Sequence, residues 1–118
     1  MDERSIKDCY YPLEAQWVGA PHVQADIRGF SGENFTIFRV AIPKGFHEAM
    51  HEHPHEQTMY IISGRIRITF PGEPPVSVGP GEFIHFPSNK PHEAYAEEDM
   101  VSIDVFSPAR EMLQPRGA

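Results

Sequence analysis

Short runs of apolar and polar positions alternate along this chain, and turns rich in glycine and proline separate them. In residues 34–42, Phe38 and Ile42 fall on one series of alternate positions, and Ile37 and Arg39 fall on the other. This period-two pattern predicts a strand with two different faces. Further strands are predicted at residues 23–30, 58–62, 65–70, 76–78, 82–86, 92–96 and 101–106. About nine short strands joined by such turns indicate an all-β barrel or sandwich.

Composition agrees with this fold class. Twelve prolines and nine glycines in 118 residues disfavour long helices and favour tight turns. The length suits a single domain. We therefore expect an N-terminal arm at residues 1–16, a β-barrel at residues 17–110 and a C-terminal tail at residues 111–118.

The charge pattern excludes several partners. The formal net charge is −7 and Lys and Arg form no cluster, so binding to nucleic acid or to an anionic membrane is not expected. No apolar run is long enough to span a bilayer, and the N-terminus does not resemble a signal peptide. Cys9 is the only cysteine, which excludes an intramolecular disulfide. A cytoplasmic location is expected.

Histidines provide the candidate chemistry. His51 and His53 are two residues apart and would share one face of a strand, where two imidazoles can bind one ion. On a straight strand, at roughly 3.3 Å per residue, Gln57 would lie about 20 Å from His51. Pro54 breaks the strand, so we expect the chain to fold back and Gln57 to begin the returning strand. His92 follows a proline-rich turn at the start of another strand.

Taken together, these residues resemble the two sequence motifs of the cupin family. The first motif is represented, at the family's spacing, by Gly45, His51, His53, Gln57 and Gly64, with Gln57 in place of the usual Glu. The second is represented by Gly81, Pro87 and His92, while Asn89 and Ala96 stand where the family has Gly and Asn. The resemblance covers roughly residues 35–110 and implies a single-domain cupin, a jelly-roll barrel also called a double-stranded β-helix.

The resemblance also implies one divalent transition metal, which could be Ni, Zn, Fe or Mn. Its implied ligands are His51, His53, Gln57 and His92. Because the amide of Gln57 adds no negative charge, the ion would keep its full Lewis acidity for a substrate oxygen.

Two segments narrow the resemblance to the KdgF-type cupins, which ketonise 4,5-unsaturated uronates released by polysaccharide lyases. These are residues 53–57 and residues 104–110. The likeness implies that Asp104 moves a proton, Phe106 forms an apolar wall and Arg110 binds a substrate carboxylate, with Gln57 also orienting the substrate. Asp104 and Phe106 are two residues apart and would share one strand face.

Alternatives remain open at this point. Cupins that act as polyketide cyclases also use three histidines and one glutamine, and an Fe(II) site would suit a dioxygenase. A non-catalytic cupin that binds a small molecule is a third possibility. Arg110 favours an enzyme with a carboxylate substrate over the cyclase or dioxygenase, because a neutral aromatic substrate does not need a guanidinium. A homodimer is expected from the resemblance alone.

Overall fold

The computed structural model describes residues 2–13, 17–18 and 24–110. A short 3-10 helix, Ile6–Cys9, precedes the strands. The strands are β1 (Trp17–Val18), β2 (Asp26–Ser31), β3 (Thr36–Ile42), β4 (His47–His51), β5 (Glu56–Ser63), β6 (Ile66–Thr69), β7 (Val76–Val78), β8 (Phe83–Phe86), β9 (His92–Ala96) and β10 (Met100–Ser107). The predicted tail, residues 111–118, the end of the predicted arm, residues 14–16, and the start of the predicted strand at residue 23 lie outside the described residues.

The strands form two antiparallel sheets. One has the order β1-β2-β3-β10-β5-β8, and the other has the order β4-β9-β6-β7. The predicted all-β class is confirmed. In the part of the chain that the structure describes, no helix has the length and apolar character that crossing a membrane requires.

An apolar core lies between the sheets, and the period-two alternation supplies its side chains. On β5, Met59 and Ile61 are buried while Tyr60 and Ile62 are exposed. Burying a large apolar side chain contributes roughly 1.5–3 kcal/mol, so this alternation fixes which face of each strand turns inward. The core cluster draws on both sheets, with Ile42, Met59, Ile61, Ile66, Ile68, Val78, Phe86, Ala94, Ala96 and Met100.

The structure differs from the sequence prediction around the first two histidines. His51 is the last residue of β4, and His53 lies beyond the strand, in the connection to β5. Contrary to the expectation, the two residues therefore do not share one face of a single strand. Pro54 provides the reason, since the chain must already turn there to enter β5 at Glu56. The predicted return of the chain is confirmed, with Gln57 as the second residue of β5.

Gly64, in the turn after β5, lies close to the backbone of residues 99 and 100. Its φ is +80°, and an added Cβ would overlap the carbonyl oxygen of Asp99 and the backbone of Met100. Gly72 has a similar φ of +77°, but an added Cβ would meet open space. We predict that Gly64→Ala lowers the free energy of unfolding by more than about 2 kcal/mol, because backbone strain and overlap add, whereas Gly72→Ala lowers it by about 1 kcal/mol.

Urea denaturation of the two variants beside the unmodified protein measures this difference. Equal losses in the two variants would show that the close approach of Gly64 to Asp99 is not a constraint on the fold.

Candidate metal centre

Three histidines from two separate segments converge at one point of the barrel. His51 ends β4, His53 follows it, and His92 begins β9. His51 and His92 are register partners across the β4–β9 pair. One ring nitrogen from each of the three lies within 4.8 Å of the others, so a single ion could contact all of them.

Backbone carbonyls determine which nitrogen of each ring faces the centre. Nδ1 of His51 lies 2.9 Å from the carbonyl of Ala49, and Nδ1 of His92 lies 2.8 Å from that of Lys90. Nδ1 of His53 lies 2.8 Å from the carbonyl of His55. A carbonyl oxygen only accepts hydrogen bonds, so each Nδ1 carries the hydrogen. Each neutral ring therefore presents the lone pair of Nε2, as in metal-binding histidines.

A hydrogen bond to Asp104 holds the side-chain amide of Gln57 in one orientation. Its Nε2 donates to Oδ2 of Asp104 at 2.9 Å, and its Oε1 consequently lies 3.2 Å from Nε2 of His53. Asp104 also accepts a 2.6 Å hydrogen bond from the hydroxyl of Ser102. Gln57 and Asp104 are both buried, and burial raises the pKa of Asp104 to about 6. The amide oxygen of Gln57 is thus aimed at the histidine cluster.

The donor atoms at this centre fit a cation. Three imidazole lone pairs and one amide oxygen point at a common region, and none of these four atoms offers a hydrogen to another. Atoms bound to one ion at about 2.1 Å are about 3.0–3.4 Å apart at bond angles between 90° and 110°. The 3.2 Å between Gln57 and His53 matches that separation. Burial also lowers the pKa of His92, which favours its neutral, coordinating form.

Comparison with known proteins agrees with this geometry. The model of the Cupin domain family matches residues 38–106, more than half of the chain. The chain belongs to the cupin family. This cupin is 32% identical over 63 residues to dimethylsulfoniopropionate lyase DddQ of Ruegeria pomeroyi, covering 53% of this chain and 31% of the relative. It therefore spans about a third of that relative's length.

Two solved structures are similar over most of the chain. An RmlC-like cupin from Shewanella frigidimarina has a TM-score of 0.75 at 21% identity, covering 86% of this chain and 93% of its own. KdgF from Halomonas sp. has a TM-score of 0.74 at 23% identity, covering 86% and 95%. At these identities the likeness shows the fold alone, and it confirms the single-domain cupin expected from the motifs.

Asn89 shows why the cupin motif has a glycine at its position. Its φ is +60°, a left-handed conformation that asparagine tolerates better than most residues with a side chain. In this conformation its backbone N–H donates a 2.8 Å hydrogen bond to the carbonyl of His53. The turn that leads to His92 is thereby tied to the loop that carries His53.

The remaining predicted site residues surround the histidines. Asp104 and Phe106 are both buried on one face of β10, as their spacing predicted. The ring of Phe106 lies 6.0 Å from that of His53, and the guanidinium of Arg110 lies 4.8 Å from the centre of the Phe106 ring. Arg110 is half-buried, and burial lowers its pKa from the usual range without removing its charge. The structure thus brings all seven predicted residues to one end of the barrel.

Sequence reasoning missed one residue at this centre, Glu48. Its Oε1 lies 3.5 Å from Nε2 of His51. His51 is three positions after Glu48, and on a regular strand that spacing would place the two side chains on opposite faces. A β-bulge between them changes this, and the sequence carries no recognisable signal for the bulge.

Metal content tests the centre directly. We expect about one equivalent of Ni, Zn, Fe or Mn per chain in protein purified without a histidine tag, and a loss of most of it in His51→Ala, because one of three converging nitrogens is removed. His85→Ala is the matched control, since His85 is exposed and pairs with Glu56 on β5. Inductively coupled plasma mass spectrometry gives the readout. Unmodified protein that stays metal-free after incubation with each ion would contradict the assignment.

Proposed function

We propose that this cupin is a metal-dependent enzyme that opens and ketonises 4,5-unsaturated uronates or a similar small sugar acid. The position of Arg110 carries the proposal. Its guanidinium lies against Phe106, and Phe106 in turn lies against His53. A fixed cation suited to a carboxylate is therefore one aromatic ring away from the candidate metal ligands.

Each residue has a definite part in this proposal. A divalent ion bound by His51, His53, His92 and Gln57 would supply Lewis acidity to an oxygen of the substrate. Arg110 binds the carboxylate and sets the orientation of the sugar ring. Phe106 forms an apolar wall that excludes water from one side.

Asp104 acts in this proposal as a positioning residue. Both of its oxygens accept hydrogen bonds, one from Ser102 and one from Gln57, so it holds the amide of Gln57 toward the histidines. The expectation that Asp104 itself moves a proton stays a prediction. So do the expected homodimer and the cytoplasmic location.

The known relatives support the proposal to different degrees. The structure of KdgF has the same fold over nearly its whole length, which adds to the motif residues Asp104, Phe106 and Arg110. Relatives alone do not select the substrate, because the same fold also serves proteins of other activities. The choice of a uronate as the proposed substrate therefore rests on the side chains beside the candidate metal centre.

A second candidate is supported by the sequence relative. DddQ is named as a lyase of dimethylsulfoniopropionate, a small carboxylate. The same centre could act on such a substrate, with Arg110 again binding the carboxylate. The cyclase and dioxygenase alternatives have less support. A neutral aromatic substrate would cover the half-buried guanidinium of Arg110 without pairing its charge, which costs desolvation free energy.

We expect metal-loaded protein to accelerate the loss of ultraviolet absorbance of a 4,5-unsaturated uronate over the uncatalysed rate. Arg110→Met should reduce kcat/KM about 10- to 100-fold, because a charge-assisted hydrogen bond to a carboxylate contributes roughly 1.5–3 kcal/mol. Arg67→Met is the matched control. Arg67 also lies against an aromatic ring, that of Tyr95, but on the outer face of its sheet, so activity should be unchanged.

The same preparation incubated with dimethylsulfoniopropionate and followed by proton NMR separates the two candidates. Consumption of that compound with no effect on the uronate would replace the first proposal by the second. No turnover of either substrate by protein with one bound metal per chain would reject both.

A further inference from the structure

Strand β4 carries one more residue than its partner over the metal centre. Glu48 pairs with Ala94, and His51 pairs with His92. Three steps along β4 thus match two steps along β9, which is the definition of a bulge with one extra residue. Because of that extra residue, Glu48 and His51 both become inward-facing positions.

The burial of Ala94 and His92, the β9 partners of Glu48 and His51, shows that these side chains lie on the inner face of the sheet. Ala94 and His92 are buried, and Ala94 belongs to the core between the sheets. Directly opposed residues of antiparallel strands have their side chains on the same face, so Glu48 points toward the interior. By contrast, His47 faces outward, where its ring bonds to Glu93 at 2.6 Å. The Glu48 side chain is 53% exposed, which places it at the open end of the barrel.

The distance from Glu48 to the histidine cluster is that of two ligands on one ion. Its Oε1 lies 3.5 Å from Nε2 of His51, close to the separation of about 3.0–3.4 Å between neighbouring ligand atoms. It lies outside the group of three nitrogens that are within 4.8 Å of one another. The Glu48 carboxylate thus approaches the cluster from the side of His51.

Charge provides the reason for a carboxylate here. Three neutral imidazoles and an amide leave a divalent ion uncompensated, and Asp104 is separated from the histidines by Gln57.

We propose that Glu48 is a fifth, carboxylate ligand of the metal centre and supplies the negative charge that Gln57 lacks. The inference rests on the metal site of the proposed function and adds to it a residue outside the cupin motifs. With five protein ligands, an octahedral ion keeps one position for a substrate oxygen.

The test is the affinity of metal-free protein for Zn²⁺, measured by competition with a chromophoric chelator. We expect Glu48→Gln to raise the Kd about 10- to 100-fold, the effect usually seen when a group supporting a metal site is removed. Glu52→Gln is the matched control, because Glu52 is exposed, adjacent to His51 and undergoes the same change of charge. Its Kd should change less than about 3-fold, which is the screened effect of one surface charge.

The absorption of bound Co²⁺ gives a second readout, because its intensity depends on the number of ligands. The spectrum should change in Glu48→Gln and stay the same in Glu52→Gln. Should Glu48→Gln fail to fold, Glu48→Asp retains the charge but shortens the reach, and a Kd raised in that variant supports coordination equally.

Equal Zn²⁺ affinities and Co²⁺ spectra in the Glu48→Gln and Glu52→Gln variants would overturn the inference while leaving the three-histidine site intact. If the unmodified protein binds no metal, the proposed function fails together with the inference. The two failures are therefore distinguishable in one set of titrations.

Discussion

The mutual repulsion of hydrogen-bond acceptors is the constraint on which this site depends. Three imidazole lone pairs and the amide oxygen of Gln57 face one another because backbone carbonyls and Asp104 take up the hydrogens on their far sides. Without a cation, such an arrangement is unfavourable, since the facing acceptors offer one another no hydrogen-bond donor. The fold holds it in place with interactions made elsewhere, in the β4–β9 ladder and in the core between the two sheets.

Much of the fold could be predicted from the sequence because alternation is a local signal. On β5 and β10, residues two apart share an environment, so Met59 and Ile61, or Asp104 and Phe106, could be assigned to one face without knowing their neighbours. The three converging histidines could be located for a different reason. Their spacing, together with flanking glycines such as Gly45 and Gly64, matches a family motif.

What the sequence could not give depends on pairing between distant segments. The hydrogen bond from Gln57 to Asp104 joins residues far apart in sequence, and it exists because β5 and β10 are neighbours in one particular register. Glu48 was missed because a bulge reverses the alternation that its position implies. In both cases a tertiary contact overrides a correct local rule. The position of His53 differs for a local reason, because the turn at Pro54 ends β4 at His51, before His53.

The four candidate ligands come from both sheets and from the loop between β4 and β5. His51 and His92 belong to the four-stranded sheet, and Gln57 belongs to the six-stranded sheet. An ion held by all of them is therefore a cross-link that closes one end of the sandwich. Since an ion that binds only the folded chain stabilises it by mass action, the free energy of unfolding of this protein would rise with the concentration of that ion.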